Sequence, residues 1–293
     1  MRRVALSVIA LCLVLTAAAC GGGSSTTTQK QSGATNPCAK ANLPLVTPGQ
    51  LTIGTDNPAY PPWFGGAQKA PWKISDPYSG KGFESAVAYA VAEKLGFARD
   101  EVEWVVVPFD QSYKPGPKAF DFDINQISFT PARAQSVAFS ESYYDVNQAV
   151  VALKSSKIAG ATTVADLKSA KLGAPIGTTS YDYVVDNVKP DQKPAVYNTL
   201  NDGVNALKAK QIDGLVVDLP TAFYVTAAQV QGSKIVGQFP AVGPQEHFGM
   251  VFASGSKLVQ CVNQALAKLE ASGELESIQQ KWLADKASAP VLQ

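Results

Sequence analysis

The chain has 293 residues, 46% of them hydrophobic and 17% charged, enough apolar side chain for a real core and too little charge for global disorder. The 25 Lys and Arg stand against 24 Asp and Glu, so the bulk charge carries no footprint of a nucleic-acid binder. One His and four Cys are too few for most His-rich or Cys-rich metal sites, so no metal and no cofactor is expected.

Arg2 and Arg3 precede the apolar run Val4–Leu15 and then the small residues Thr16-Ala17-Ala18-Ala19-Cys20. That order is a basic n-region, an apolar h-region and a small-residue cleavage zone, and residues 1–19 are read as a signal peptide. The apolar run falls short of the roughly 20 residues that span a bilayer. Cleavage ahead of Cys20 resembles the lipobox of bacterial lipoproteins, whose Cys takes a diacylglycerol. Ala17 stands where that pattern usually has Leu, and Ala17-Ala18-Ala19 also fits ordinary secretion, so both outcomes stay open. Residues 20–37, rich in Gly, Ser and Thr, read as a flexible tether with a root-mean-square reach of roughly 20–25 Å. Cys12 would leave with the signal peptide, and Cys38 and Cys261 would remain in an oxidising exterior. A disulfide between them is the simplest reading, with two buried free thiols as the alternative.

Leu51–Thr55 reads as the first strand. A Pro- and Gly-rich stretch, 58–82, follows; it is either an ordered lid over a site or a padded surface loop. Phe83, Val87, Val91 and Leu95 recur every four residues ahead of Gly96, which predicts a helix over 83–95. Strands are predicted over 102–107, 123–129 and 147–153, the last carrying the chain into a second α/β set. That set runs as a short helix at 164–167, a strand at 171–174, a helix near 180–187, a strand at 195–197 and a helix at 200–209. A strand at 212–217, a helix at 219–228, a strand at 248–253 and helices near 256–271 and 274–284 complete it. The alternation of short β-branched runs with helices is that of an α/β fold.

Several ordered segments make the chain resemble the extracytoplasmic solute-binding proteins of the polar amino-acid ABC importer family. They are Leu51-Thr-Ile-Gly-Thr-Asp56 with Pro61-Pro62-Trp63, Gly82-Phe83-Glu84 leading into its helix, and Phe129-Thr130-Pro131-Ala132-Arg133 leading to Phe139–Tyr144. Gly177-Thr178-Thr179-Ser180 and Ile212–Asp218 continue the pattern. The resemblance implies a two-lobed, periplasmic-binding-protein-like clamp of type II, with lobes joined by two crossings. Lobe 1 would comprise 39–148 plus 245–285, and lobe 2 would comprise 149–244.

A zwitterionic amino acid needs a cation for its carboxylate, an anion for its ammonium and a fitted wall for its side chain. Arg133 offers a planar fork for a carboxylate, with Ser128 and Thr130 beside it. Thr178 and Thr179 would add N–H and hydroxyl donors from the other lobe, where strand meets helix. Asp218, at a strand end, matches the family's ammonium-binding acid, and Tyr60 and Phe109 match aromatic positions against the ligand. Asp56 could meet a polar or cationic side chain. Trp63 and Trp72 could line the site or staple the long loop, and His247 reads as structural. Where the family usually has a helix with a Gly-x-x-Asp turn, Gln111–Lys118 carries two Pro that disfavour a regular helix.

The expected function is capture of a polar amino acid by domain closure and delivery to an ABC permease, with a separate ATPase subunit, by a monomer lipid-anchored at Cys20 on the outer face of the membrane or free in the periplasm. Two rivals stand beside it. One is a receptor-type sensor domain without transport. The other is a cyclohexadienyl-dehydratase-like enzyme, for which Glu84, Glu141 and Glu246 are the available acids.

Overall fold

A computed structural model describes residues 36–283 and 289–293. The predicted signal peptide, most of the predicted tether and Cys20 lie outside the described residues. None of the described helices is long and apolar enough to cross a membrane.

Two five-stranded mixed sheets organise two α/β lobes. The first sheet contains β1 (Leu51–Thr55), β2 (Val102–Val106), β3 (Phe122–Asp123), β4 (Val137–Asp145) and β10 (His247–Ala253), in the order β2-β1-β3-β10-β4. The second contains β5 (Gln148–Leu153), β6 (Leu172–Pro175), β7 (Ala195–Tyr197), β8 (Gly214–Asp218) and β9 (Ser233–Gln238), in the order β7-β6-β8-β5-β9. In each sheet three parallel strands are followed by an antiparallel strand that has just crossed from the other lobe, β10 in the first and β5 in the second. The two crossings are 146–147 and 239–246, and they run side by side, the Val146 N–H donating to the Glu246 carbonyl at 2.9 Å.

Helices α1 (Phe83–Lys94), α7 (Leu258–Ala271) and α8 (Glu274–Leu283) cover one face of the first sheet. The 58–82 segment is not a padded surface loop: several of its apolar residues are buried. Trp63, Phe64 and Trp72 are buried in the first core, where Trp63 meets Phe83, Tyr144 and Phe248 edge-on. Its carbonyls also finish α1: the amides of Phe83 and Glu84 donate to Pro62 and Trp63 at 2.9 Å each. Gly82 makes that approach possible. Its φ is 91°, and a Cβ there would stand 2.5 Å from the Trp63 carbonyl oxygen and the Phe64 Cα. A disulfide joins Cys38 to Cys261 and so ties the start of the described chain to α7.

The second lobe carries α4 (Thr179–Tyr183), α5 (Leu200–Lys208) and α6 (Leu219–Tyr224), and α4 and α6 each run on into a π turn. Its sheet is apolar on both faces: Val150 and Val216 belong to one cluster, Ala149, Val151, Leu215 and Val217 to the other. Strands covered on both sides read as continuous hydrophobic runs, as Gln148–Leu153 does after its first residue. The chain end returns here although α8 packs on the first lobe. Leu292 is buried against Gly237, and its N–H donates to the Gln238 carbonyl at 2.9 Å.

Two predicted strands differ from the observed ones, and two observed strands are not among those predicted. The strand expected over 123–129 ends at Asp123, because Gln126 turns into the left-handed region (φ 48°) and delivers its N–H to the Glu84 carboxylate. The strand expected over 212–217 is Gly214–Asp218. Strands β4 and β9 lack a clean alternation in the sequence and appear only through their pairing with β10 and β5. The short α2 (Phe109–Ser112) ends before Pro115, as the two prolines require.

Candidate functional site

The C-terminal ends of β1, β3, β6 and β8 face one another across the lobes and enclose a cavity of about 380 Å³. In open α/β sheets that is where side chains on loops converge on a ligand. The first lobe contributes Asp56 after β1, Tyr60 from the 58–82 segment, Phe109 at the start of α2, and Ser128 and Arg133 either side of the turn into α3 (Pro131–Ala134). The second contributes Thr178 and Thr179 at the start of α4 and Asp218 at the end of β8. Thr130 stands apart: it does not line the cavity, and its hydroxyl accepts from the Arg133 N–H at 3.2 Å as the cap of α3.

The lobes are closed on each other by direct bonds. The Trp63 indole N–H donates to Thr221 Oγ1 at 3.0 Å, and the Tyr113 hydroxyl donates to the Gly177 carbonyl at 3.3 Å. Arg133 spans the same gap, donating from Nη1 to the Ser128 carbonyl at 2.7 Å and from Nη2 to the Gly177 carbonyl at 2.8 Å. Its guanidinium lies 4.4 Å from the Tyr113 ring centroid and 5.5 Å from that of Phe109. These partners are neutral, and Arg133 enters no ion pair among the described residues, so its charge and remaining N–H groups stay available to an anion.

Asp218 presents the complementary charge. Among the described residues its one side-chain partner is the Gln148 amide, which donates to Oδ1 at 2.8 Å. Burial, and then the nearby Glu246 charge, push its carboxyl up to about 7. Burial also raises the pKa of Asp56 in the cavity wall, which accepts from the Asn57 N–H at 2.6 Å. Burial also pushes the Tyr60 phenol up to about 12, and its hydroxyl finds no partner among the described residues.

Two contributors lie outside the predicted site. Glu246, on the second crossing, accepts from the Ser128 hydroxyl at 2.6 Å and from the Thr179 hydroxyl at 2.5 Å. Gln148, the first residue of β5, donates to both Glu246 oxygens and to Asp218, and its own oxygen accepts from Ser180. A polar Gln heading an otherwise apolar strand was the available signal. Trp63 does line the cavity, whereas Trp72 is core. His247 stacks on Phe129 at 5.4 Å with the rings 9° apart. Of the acids available to an enzyme, Glu84 is fully buried on Tyr143 and Gln126, and Glu141 is exposed near Asn263. Among the described residues no group of three or more His, Cys, Asp or Glu is placed to hold a metal ion.

Residues 51–285 match the profile of the bacterial extracellular solute-binding proteins, family 3. The chain belongs to that family. This solute-binding protein is 26% identical over 206 residues to the arginine-binding extracellular protein ArtP of Bacillus subtilis, covering 69% of this chain and 77% of the relative. It is 27% identical over 252 residues to a probable histidine-binding protein of Neisseria gonorrhoeae, covering 83% and 87%. Among solved structures, an ABC uptake transporter substrate-binding protein from Streptococcus pneumoniae with bound histidine superposes with a TM-score of 0.66 at 28% identity, covering 83% of this chain and 96% of the other. An ancestral arginine-binding protein bound to arginine gives 0.64 at 29% identity, covering 80% and 98%. The two-lobed architecture of the solute-binding protein is thus shared with structures that hold bound histidine and bound arginine.

Proposed function

We propose that this protein captures an amino acid with a cationic side chain outside the cytoplasm and hands it to an ABC permease. The observation that carries the reading is the pairing of Arg133 and Asp218, delivered by different lobes to the same closed cavity. Arg133 takes the α-carboxylate and Asp218 the α-ammonium, so the ligand's full set of partners exists only when the lobes are shut. A ligand that gains contacts only in the closed state shifts the population to it. Tyr60 and Phe109 wall the side chain, and Asp56, which lines the same cavity, favours a guanidinium or ammonium terminus. Relatives named for arginine and histidine agree with that choice.

The protein acts as a binder and not as an enzyme: Glu84 and Glu246 are placed on protein donors, Glu141 is exposed, and the relatives are named as binding proteins. The closed, liganded form docks on the permease, and ATP is hydrolysed by a separate subunit. Residues 1–19 are the signal peptide, Cys20 carries the lipid, and 20–37 hold the monomer off the membrane surface. Residues 39–148 with 245–285 form one lobe, and 149–244 the other.

A thermal-shift panel of the purified protein against all amino acids tests this. A true ligand at 100 times its dissociation constant adds roughly 2.7 kcal/mol, several degrees in midpoint for a chain of this size. Arginine, lysine or histidine should give the largest shift, and Arg133→Ala should abolish it. A panel in which no amino acid moves the midpoint, while sugars or organic anions do, overturns the reading.

A further inference from the structure

Ser128 and Thr179 belong to different lobes, line the cavity, and stand 3.3 Å apart oxygen to oxygen. Both hydroxyls point at one acceptor, Glu246 Oε1, at 2.6 and 2.5 Å. Glu246 does not line that cavity. It lines a separate recess of about 130 Å³ behind the crossings, together with Gln148. The carboxylate therefore sits behind the two hydroxyls as seen from the ligand space. The Gln148 amide holds it there at 3.1 and 3.2 Å, and Ser180 fixes that amide by donating to the Gln148 oxygen.

A hydroxyl has one proton and two lone pairs. When the proton goes to a carboxylate, only lone pairs remain for anything on the other side. Ser128 and Thr179 then face the cavity as acceptors, beside the Asp218 carboxylate that shares Gln148 with Glu246. An ammonium group with three N–H donors fits three such acceptors, and a carboxylate meets lone pairs and is repelled.

We propose that Glu246 is a positioning residue that spends the Ser128 and Thr179 hydroxyl protons, so that the wall where the lobes meet accepts the ligand's ammonium group and leaves its carboxylate to Arg133 and backbone N–H groups. This reverses the donor role that residue type alone suggested for the Thr179 hydroxyl. It rests on the amino-acid reading above and deepens it. The crossing thereby senses closure, because the two hydroxyls reach Glu246 together only when the lobes meet.

The test is a ligand series measured by displacement up to millimolar concentration on the full chain and its variants. L-arginine carries both groups, argininamide keeps the ammonium without the carboxylate charge, and 5-guanidinovalerate keeps the carboxylate without the ammonium. If another amino acid gives the largest shift in the panel, the corresponding three compounds are built on it. Glu246→Ala should weaken the amino acid and its amide by about tenfold or more, the size of a hydrogen bond to a charged group, and the deaminated acid by less than about twofold. Glu246→Gln, which keeps the shape, should show the same pattern with a smaller loss. Ser128→Ala, which removes one acceptor, should reproduce it without touching the crossing. Equal losses on all three compounds, or a loss confined to the deaminated acid, overturn the assignment. A gain of affinity on removing Glu246 overturns it too, since that would make Glu246 a competitor for the ligand's carboxylate. A wild-type protein that binds no amino acid is a failure of the proposed function, and is recognised before any variant is made.

Discussion

The lobe built on β1 has one large core rich in aromatic side chains, among them Trp63, Trp104, Phe83, Phe248 and Phe252, a small second cluster of Ile127, Val137 and Val251, and a disulfide at its edge. The lobe built on β6 shares the same strand order but divides its core into two largely aliphatic clusters, one on each sheet face, and borrows Leu292 from the chain end to finish one of them. Identical topology is thus stabilised in two ways. The first lobe concentrates its packing in the aromatic cluster under α1, α7 and α8 and sends one member of it, Trp63, across to Thr221. The second spreads a thinner core over both faces, so each helix layer matters separately. The first lobe rests on one dominant aromatic core, and the second on two smaller aliphatic ones, one of them completed by its tail.

The largest test of that contrast is Trp63→Ala. It opens a cavity among three aromatic neighbours and removes the bond to Thr221, and should lower stability by about 3–5 kcal/mol in chemical denaturation. Trp63→Phe should recover most of the stability but not the cross-cleft bond, so its defect should appear as a more open empty state in small-angle scattering. Replacing Cys38 and Cys261 by Ser should cost about 2–5 kcal/mol, since the disulfide closes a long loop. Ligand affinity should be unchanged, because neither residue lines the cavity. Leu292→Ala, in the other lobe, should cost about 2–4 kcal/mol, and hydrogen exchange should quicken in β9 and the turn at 162–164 while the first lobe stays protected. A loss spread evenly over both lobes would erase the distinction drawn between them.

The smallest effect is one of pH. Each lobe holds a buried carboxyl raised to about 7, Glu84 in the first and Asp218 in the second. Glu84 is satisfied by the Tyr143 hydroxyl and the Gln126 N–H, whereas Asp218 has only an amide and faces the cavity. A carboxyl whose pKa is raised by folding binds its proton more tightly in the folded state, so each acid costs stability as pH rises from about 4 to about 7. The melting point of the empty protein should fall through that window. Affinity should move the other way, rising between about pH 6 and 8 as Asp218 ionises to meet an ammonium. Asp218→Asn should weaken binding and flatten that profile, while Glu84→Gln should leave its shape intact.

Much of the fold was legible because its signals are local. The four-residue spacing of Phe83, Val87 and Val91, the apolar run at 148–153 and the small residues at the β6 to α4 turn each depend on neighbours in sequence. The candidate site was legible to the extent that residue type dictates chemistry: a guanidinium, a carboxylate at a strand end, and aromatics nearby. Thr130 shows where that stops, since the same Ser/Thr chemistry serves a helix cap as readily as a ligand, and only geometry separates the two uses.

By itself, then, the sequence determined the α/β alternation, the lobes' building blocks and most of the residues that meet at the cavity. Only the tertiary structure decided how their protons are directed. Ser128 and Glu246 are 118 residues apart, Thr179 and Glu246 are 67, and Trp63 and Thr221 are 158. No periodicity connects such positions. They meet because each sheet takes a strand from the other lobe's side of the chain, and that exchange sets the second crossing, and Glu246 with it, against Ser128 and Thr179.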